Sequence, residues 1–199
     1  MKKIIAAVLA VLTVSTLTFA QADMKARNFY KHPHYPFVTL GFNGGVLFPI
    51  SRLSDTYDPG PRIGVDIGYR LNKEVAISGT LNYSWIISKN TSAPDGNYME
   101  ISAGPRYYLS HPKLRSAIFA EGGVGAYRFM QAAYFDDLLN KDVQKLDNTK
   151  AGLYGGLGAT LSVIKNVDFI VKGKYHVIFT KSETTSFMTV TGGLNVMIP

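Results

Sequence analysis

Residues 61–87 read PRIGVDIGYRLNKEVAISGTLNYSWII, and the alternation within this stretch decides the fold. Ile63, Val65, Ile67, Tyr69 and Leu71 fall on one parity; Arg62, Gly64, Asp66, Gly68 and Arg70 fall on the other. Successive side chains of a strand point to opposite faces, so this limb is a strand with one apolar and one polar face. After the polar break Asn72-Lys73-Glu74 the pattern resumes. Val75, Ile77, Leu81, Tyr83, Trp85 and Ile87 share one face, and Ala76, Ser78, Thr80, Asn82 and Ser84 share the other. Strands of soluble proteins usually run about five or six residues. Both limbs here are about ten or longer, the length a tilted strand needs to cross a membrane.

Working outward, the same alternation recurs over residues 37–48, 98–109, 116–129, 151–163, 167–179 and 187–198. With the opening hairpin this makes eight strands. The connections at 49–60, 88–96, 130–150 and 180–186 are longer than those at 72–74, 110–114 and 164–166. Long and short breaks alternate, as they do in outer-membrane barrels with short periplasmic turns and longer extracellular loops. The sequence therefore predicts an all-β chain, an eight-stranded antiparallel up-and-down transmembrane β-barrel. Pro105 lies inside the fourth strand and has no N–H for the ladder, which predicts a bulge or kink there. In the longest connection, residues 136–146 have room for a turn or two of helix.

The chain has 199 residues and no cysteine, so there is neither a disulfide framework nor a thiolate metal site. Its formal charge is +7, and removal of Lys2 and Lys3 with a leader lowers it to +5. No basic run or basic helix accompanies that charge, which argues against a nucleic-acid partner. Met1-Lys2-Lys3 followed by the apolar run 4–20 and the small-x-small site Ala20-Gln21-Ala22 reads as a signal peptide over 1–22. Residues 23–36 then form a short polar periplasmic extension, and 37–199 the barrel. His32 and His34 lie in that extension with no third ligand nearby in sequence, so they read as solvated side chains rather than a metal site.

Alternation alone does not say which face is outside. The polar parity is dominated by Gly, Ser, Thr and Asn, among them Gly41, Gly64, Ser78, Thr80, Ser102, Gly123 and Gly156. A water-facing surface would carry more Lys and Glu, whereas an eight-stranded lumen is barely wide enough for its own side chains. The polar face is therefore expected inside. Phe48, Trp85, Tyr107, Phe169 and Phe179 fall near strand ends on the apolar face, as the aromatic girdles of a membrane barrel do.

In this pattern of strands the chain resembles the small eight-stranded outer-membrane barrels of OmpX, Ail and OmpA type. The resemblance spans residues 37–198 and rests on strand count and alternation. It implies residence in the outer membrane of a Gram-negative-type bacterium, with outer-membrane lipid, lipopolysaccharide and the barrel-assembly machinery as partners. It also implies a monomer, with a possible unknown surface partner for the loops. Thr191, Gly193, Val196 and Ile198 in the last strand look like the assembly signal of such barrels, although the chain ends on Ile198-Pro199 where the family usually ends on an aromatic.

The inward charges are Arg62, Asp66, Arg70, Glu100, Arg106, Glu121, Lys172 and Lys174. They describe either a selective pore or a plug of mutually paired charges. The narrow lumen favours the plug, because a buried lone ion is costly. Glu100 and Glu121 are expected to pair with Arg62, Arg106 or the two lysines. An enzyme is a weaker reading: His176 and Asp168 share a face, but eight strand residues hold them about 26 Å apart. His111 beside Ser110 falls in a short turn. No motif implies a cofactor or a metal. The reading is a non-enzymatic barrel with a plugged lumen and a structural or surface-interaction role through its loops. The alternatives are a small pore, a hydrophobic-ligand channel, or, less favoured, a lipid A-modifying enzyme.

Overall fold

A computed structural model describes residues 35–90, 93–110, 116–136, 141–164, 166–180 and 184–198. The segment read as a signal peptide, most of the segment read as an N-terminal extension, with His32 and His34, and His111 lie outside the described residues. Eight long strands make the fold: β1 (Phe37–Ile50), β2 (Gly60–Arg70), β3 (Val75–Ser88), β4 (Gly96–Ser110), β5 (Ser116–Gln131), β6 (Leu146–Ile164), β7 (Val167–Phe179) and β8 (Thr184–Ile198). Each pairs antiparallel with its neighbours in sequence, and β1 pairs with β8, so the sheet closes on itself. Closure gives the strands' backbone N–H and C=O groups partners within the sheet and leaves no open edge along the wall.

Following paired residues round the wall from Leu40 leads through Ile67, Gly79, Ala103, Val124, Leu153, Val177 and Ser186 to Ile50. The path returns to β1 ten residues above its start. That stagger accompanies a strand tilt of about 40°. Parity holds in every strand. The parity richer in polar and small side chains points inward; the apolar face points out and stays uncovered, with Phe42 69 % and Leu157 65 % exposed. An apolar surface that runs right round a molecule cannot face water without association. The outer face thus requires an apolar solvent.

Three local expectations are corrected. Pro105 causes no bulge: Ala103↔Val124 and Arg106↔Glu121 keep one register on either side of it. The ladder merely lapses there, opposite Gly122 and Gly123. A Cβ on Gly104 would sit 2.1 Å from the Gly122 carbonyl oxygen, and one on Gly123 would sit 2.2 Å from that of Ala103. With no side chain on either glycine the two strands close up, and no inserted residue is needed. The register shift that does occur lies between Val167 and Asp168, at the tight β6–β7 turn. Second, the connection predicted over 130–150 is largely strand: β5 runs to Gln131 and β6 starts at Leu146. Third, residues 136–146 form no helix among the described residues. Tyr134–Asp136 pairs with Lys141–Val143 as a small hairpin. A single helical turn, α1 (Arg52–Thr56), lies instead in the β1–β2 connection.

Candidate functional site in the barrel interior

The interior is stacked in three layers. At the loop end, Leu47, Ile86, Tyr98, Tyr127, Ile178 and Phe187 project inward from six strands and, with Tyr57 from the first loop, form one buried apolar cluster. At the turn end, Ala76, Tyr108, Phe119 and Ile170 form a second. Ionisable side chains fill the space between.

In that belt the Arg62 guanidinium pairs with Glu100 and donates to Ser84 Oγ at 2.9 Å. Glu100 Oε1 also accepts from Ser102 Oγ at 2.6 Å. Asp66 pairs with Lys172 and accepts from Asn43 Nδ2 at 2.7 Å. Glu121 serves two cations. Its Oε2 accepts from Arg106 Nε at 2.8 Å, and its Oε1 lies 3.0 Å from Lys174 Nζ. The second contact has ion-pair distance without hydrogen-bond alignment. Lys174 Nζ also lies 4.4 Å from the centre of the Tyr154 ring, which gives the ammonium a second favourable neighbour.

His176 links belt and loop-end cluster. Its Nδ1 shares a hydrogen bond with the Tyr127 hydroxyl at 3.0 Å, and its Nε2 shares one with Thr189 Oγ1 at 3.2 Å. Its ring stacks on Phe187 with centroids 4.5 Å apart. Asp168 accepts from Ser162 Oγ instead, so the two residues do not meet.

Seven of the eight charges read from the sequence as inward are thus brought into one buried belt. Arg70 is the exception. It sits half-buried at the turn-end mouth, its guanidinium 3.7 Å above the Tyr108 ring, and donates to the carbonyls of Asn72 and Lys73. It comes too near the end of β2 for an acid of the belt to reach it. The apolar clusters were the part that sequence reasoning missed. Leu47, Ile86, Phe119, Ile170, Ile178 and Phe187 share the polar parity, and that mismatch, concentrated near strand ends, was the available signal.

The sequence matches the family model for the outer membrane protein beta-barrel domain over residues 4–197. The chain belongs to that family. Among solved structures, this outer-membrane barrel is similar to Neisserial surface protein A, with a TM-score of 0.58 and 16 % identity over 80 % of this chain and 96 % of that one. It is also similar to a major outer membrane protein from Thermus thermophilus, with a TM-score of 0.60 and 12 % identity over 83 % and 100 %. A third is the outer membrane protein OprG from Pseudomonas aeruginosa, at 0.53 and 12 % over 80 % and 95 %. Identities this low speak for the fold alone. No curated protein matches the sequence.

On the outer wall of the barrel, Phe48, Trp85 and Phe179 lie toward the loop end, and Tyr107 and Phe169 toward the turn end. Phe48 is half-buried, while the other four are exposed. Trp85 packs edge-on against Tyr83, with centroids 4.8 Å apart. In β8, Thr191 points into the lumen, Gly193 lies against Asn43, and Val196 and Ile198 face outward opposite Leu40 and Val38. These four residues therefore lie along the seam that closes the barrel.

Proposed function

We propose that this protein is a closed-lumen barrel of the outer membrane, non-enzymatic, with a structural or surface-interaction role carried by its loops. The observation behind this reading is the layered interior. Two apolar clusters enclose a belt in which every carboxylate has a cation partner, so an ion entering from either mouth must cross an apolar layer before it reaches the belt. Removing water from an ion without offering it a partner costs several kcal/mol.

The same proposal includes export by a cleaved leader over 1–22 and insertion by the barrel-assembly machinery through the β8 signal. It includes lipopolysaccharide and outer-membrane lipid around a monomeric wall. It leaves the β5–β6 extension, which carries the hairpin, as the surface offered to a partner. Single-channel recording of refolded protein in a planar bilayer tests it. Silence from inserted, folded protein is expected; stable ohmic steps would overturn the closed lumen and make the belt a selectivity lining.

A further inference from the structure

We infer that the loop-end mouth of the barrel is a binding cup for a small organic anion with an aromatic-sized apolar body. A cavity of about 400 Å³ opens above the loop-end cluster. That volume falls in the range of small-ligand sites, which pair apolar walls with a few placed polar groups. Here the two kinds of lining lie side by side on one strand pair. Tyr127 stands opposite Lys150 in the β5–β6 register, and Phe129 stands opposite Asn148. All four line the cavity. Tyr57 and Tyr98 flank Phe129, with ring centroids 6.0 and 5.0 Å from it, so the aromatic wall is held on both sides.

The polar wall sets the charge of the occupant. Among the described lining residues there is no carboxylate, and Lys150 is the one cation. The acids of the belt lie beneath the cluster and are already paired. An anionic head placed beside Lys150 and Asn148 leaves its apolar body against Tyr127 and Phe129, which replaces water on two aromatic faces. The floor is fixed beforehand, because the Tyr127 hydroxyl is bonded to His176. Pre-ordered walls lower the cost of binding.

Calorimetric titration of the full-length protein in saturated phosphatidylcholine nanodiscs tests the inference, with empty discs as the blank. Naphthalene-2-sulfonate is the anionic probe and naphthalene-2-sulfonamide its neutral counterpart. Saturable one-to-one binding is expected, with the sulfonate at least tenfold tighter. Lys150→Gln should remove that preference and leave the sulfonamide unchanged, whereas Phe129→Ala should weaken both probes. Each variant is first checked for folding by its heat-dependent shift in gel mobility. No heat beyond that of empty discs overturns the cup. Equal affinity of the parent for the two probes, or a preference that survives Lys150→Gln, overturns the assignment of an anion.

Discussion

Individual positions in this barrel divide by what a side chain would meet. A Cβ on Gly155 would meet nothing within 4 Å, because it points outward. One on Gly123 would run into the Ala103 carbonyl. Gly155→Val should therefore be neutral or stabilise by up to about 1 kcal/mol through strand preference and apolar surface facing lipid. Gly123→Ala should destabilise by about 1–3 kcal/mol, since only backbone movement relieves the contact. Urea midpoints in lipid vesicles read both; the opposite order would contradict the inward and outward assignment of these two glycines. Glu121 is the residue on which the belt depends most. Glu121→Gln leaves Arg106 and Lys174 buried without their carboxylate and should cost about 3–5 kcal/mol. Adding Lys174→Met removes one stranded charge and should recover part of the loss. If the double variant is no more stable than Glu121→Gln, Lys174 is not held by that carboxylate.

At the scale of elements, alternation was enough to count the strands and place most of their ends. The bounds 167–179 that alternation predicts are those of β7, because tight connections leave a strand little room to extend. The misjudged element is the β5–β6 extension. Asp147 lies in the part read as loop, yet it is paired in register with β5 and forms a two-point ion pair with Arg128, near the end of the strand read over 116–129, with 2.7 Å contacts from Nε and Nη2. Polar residues with no apolar partner parity carry no strand signal in sequence. They are strand here because the ladder below them continues upward. That pair is exposed to solvent, where ion pairs contribute little. Asp147→Asn should accordingly leave the urea midpoint of the barrel unchanged. A clear downward shift would mean that the extension unfolds together with the wall rather than independently of it. The charge belt was legible because each of its members sits on the polar parity. The apolar clusters were not, because a Leu or Phe on that parity is indistinguishable in sequence from an irregularity at a strand end. Only closure of the barrel shows that such residues gather, four at the loop end and two at the turn end.

For the molecule as a whole, the order of the layers makes a sharper claim than a plugged lumen alone. The two apolar clusters stand in series, so either one should suffice to block ions. Phe187 and Phe119 are fully buried, one in each cluster. Phe187→Ala or Phe119→Ala alone should leave the inserted protein silent in a planar bilayer, although each removes contacts worth about 3–5 kcal/mol. Both substitutions together should admit water from both ends and give ohmic steps. Those steps should favour anions. The buried ionisable groups of the described belt are the cations Arg62, Arg106, Lys172 and Lys174 against the acids Asp66, Glu100 and Glu121, one positive charge in excess. A lumen lined by one sign of charge concentrates the opposite ion. The reversal potential in a potassium chloride gradient measures this, and Lys174→Glu in the opened barrel should turn the preference toward potassium. Silence from a folded variant lacking both phenylalanines would place the barrier in the ion-paired belt itself. The clusters would then be packing that supports the pairs and not the seal.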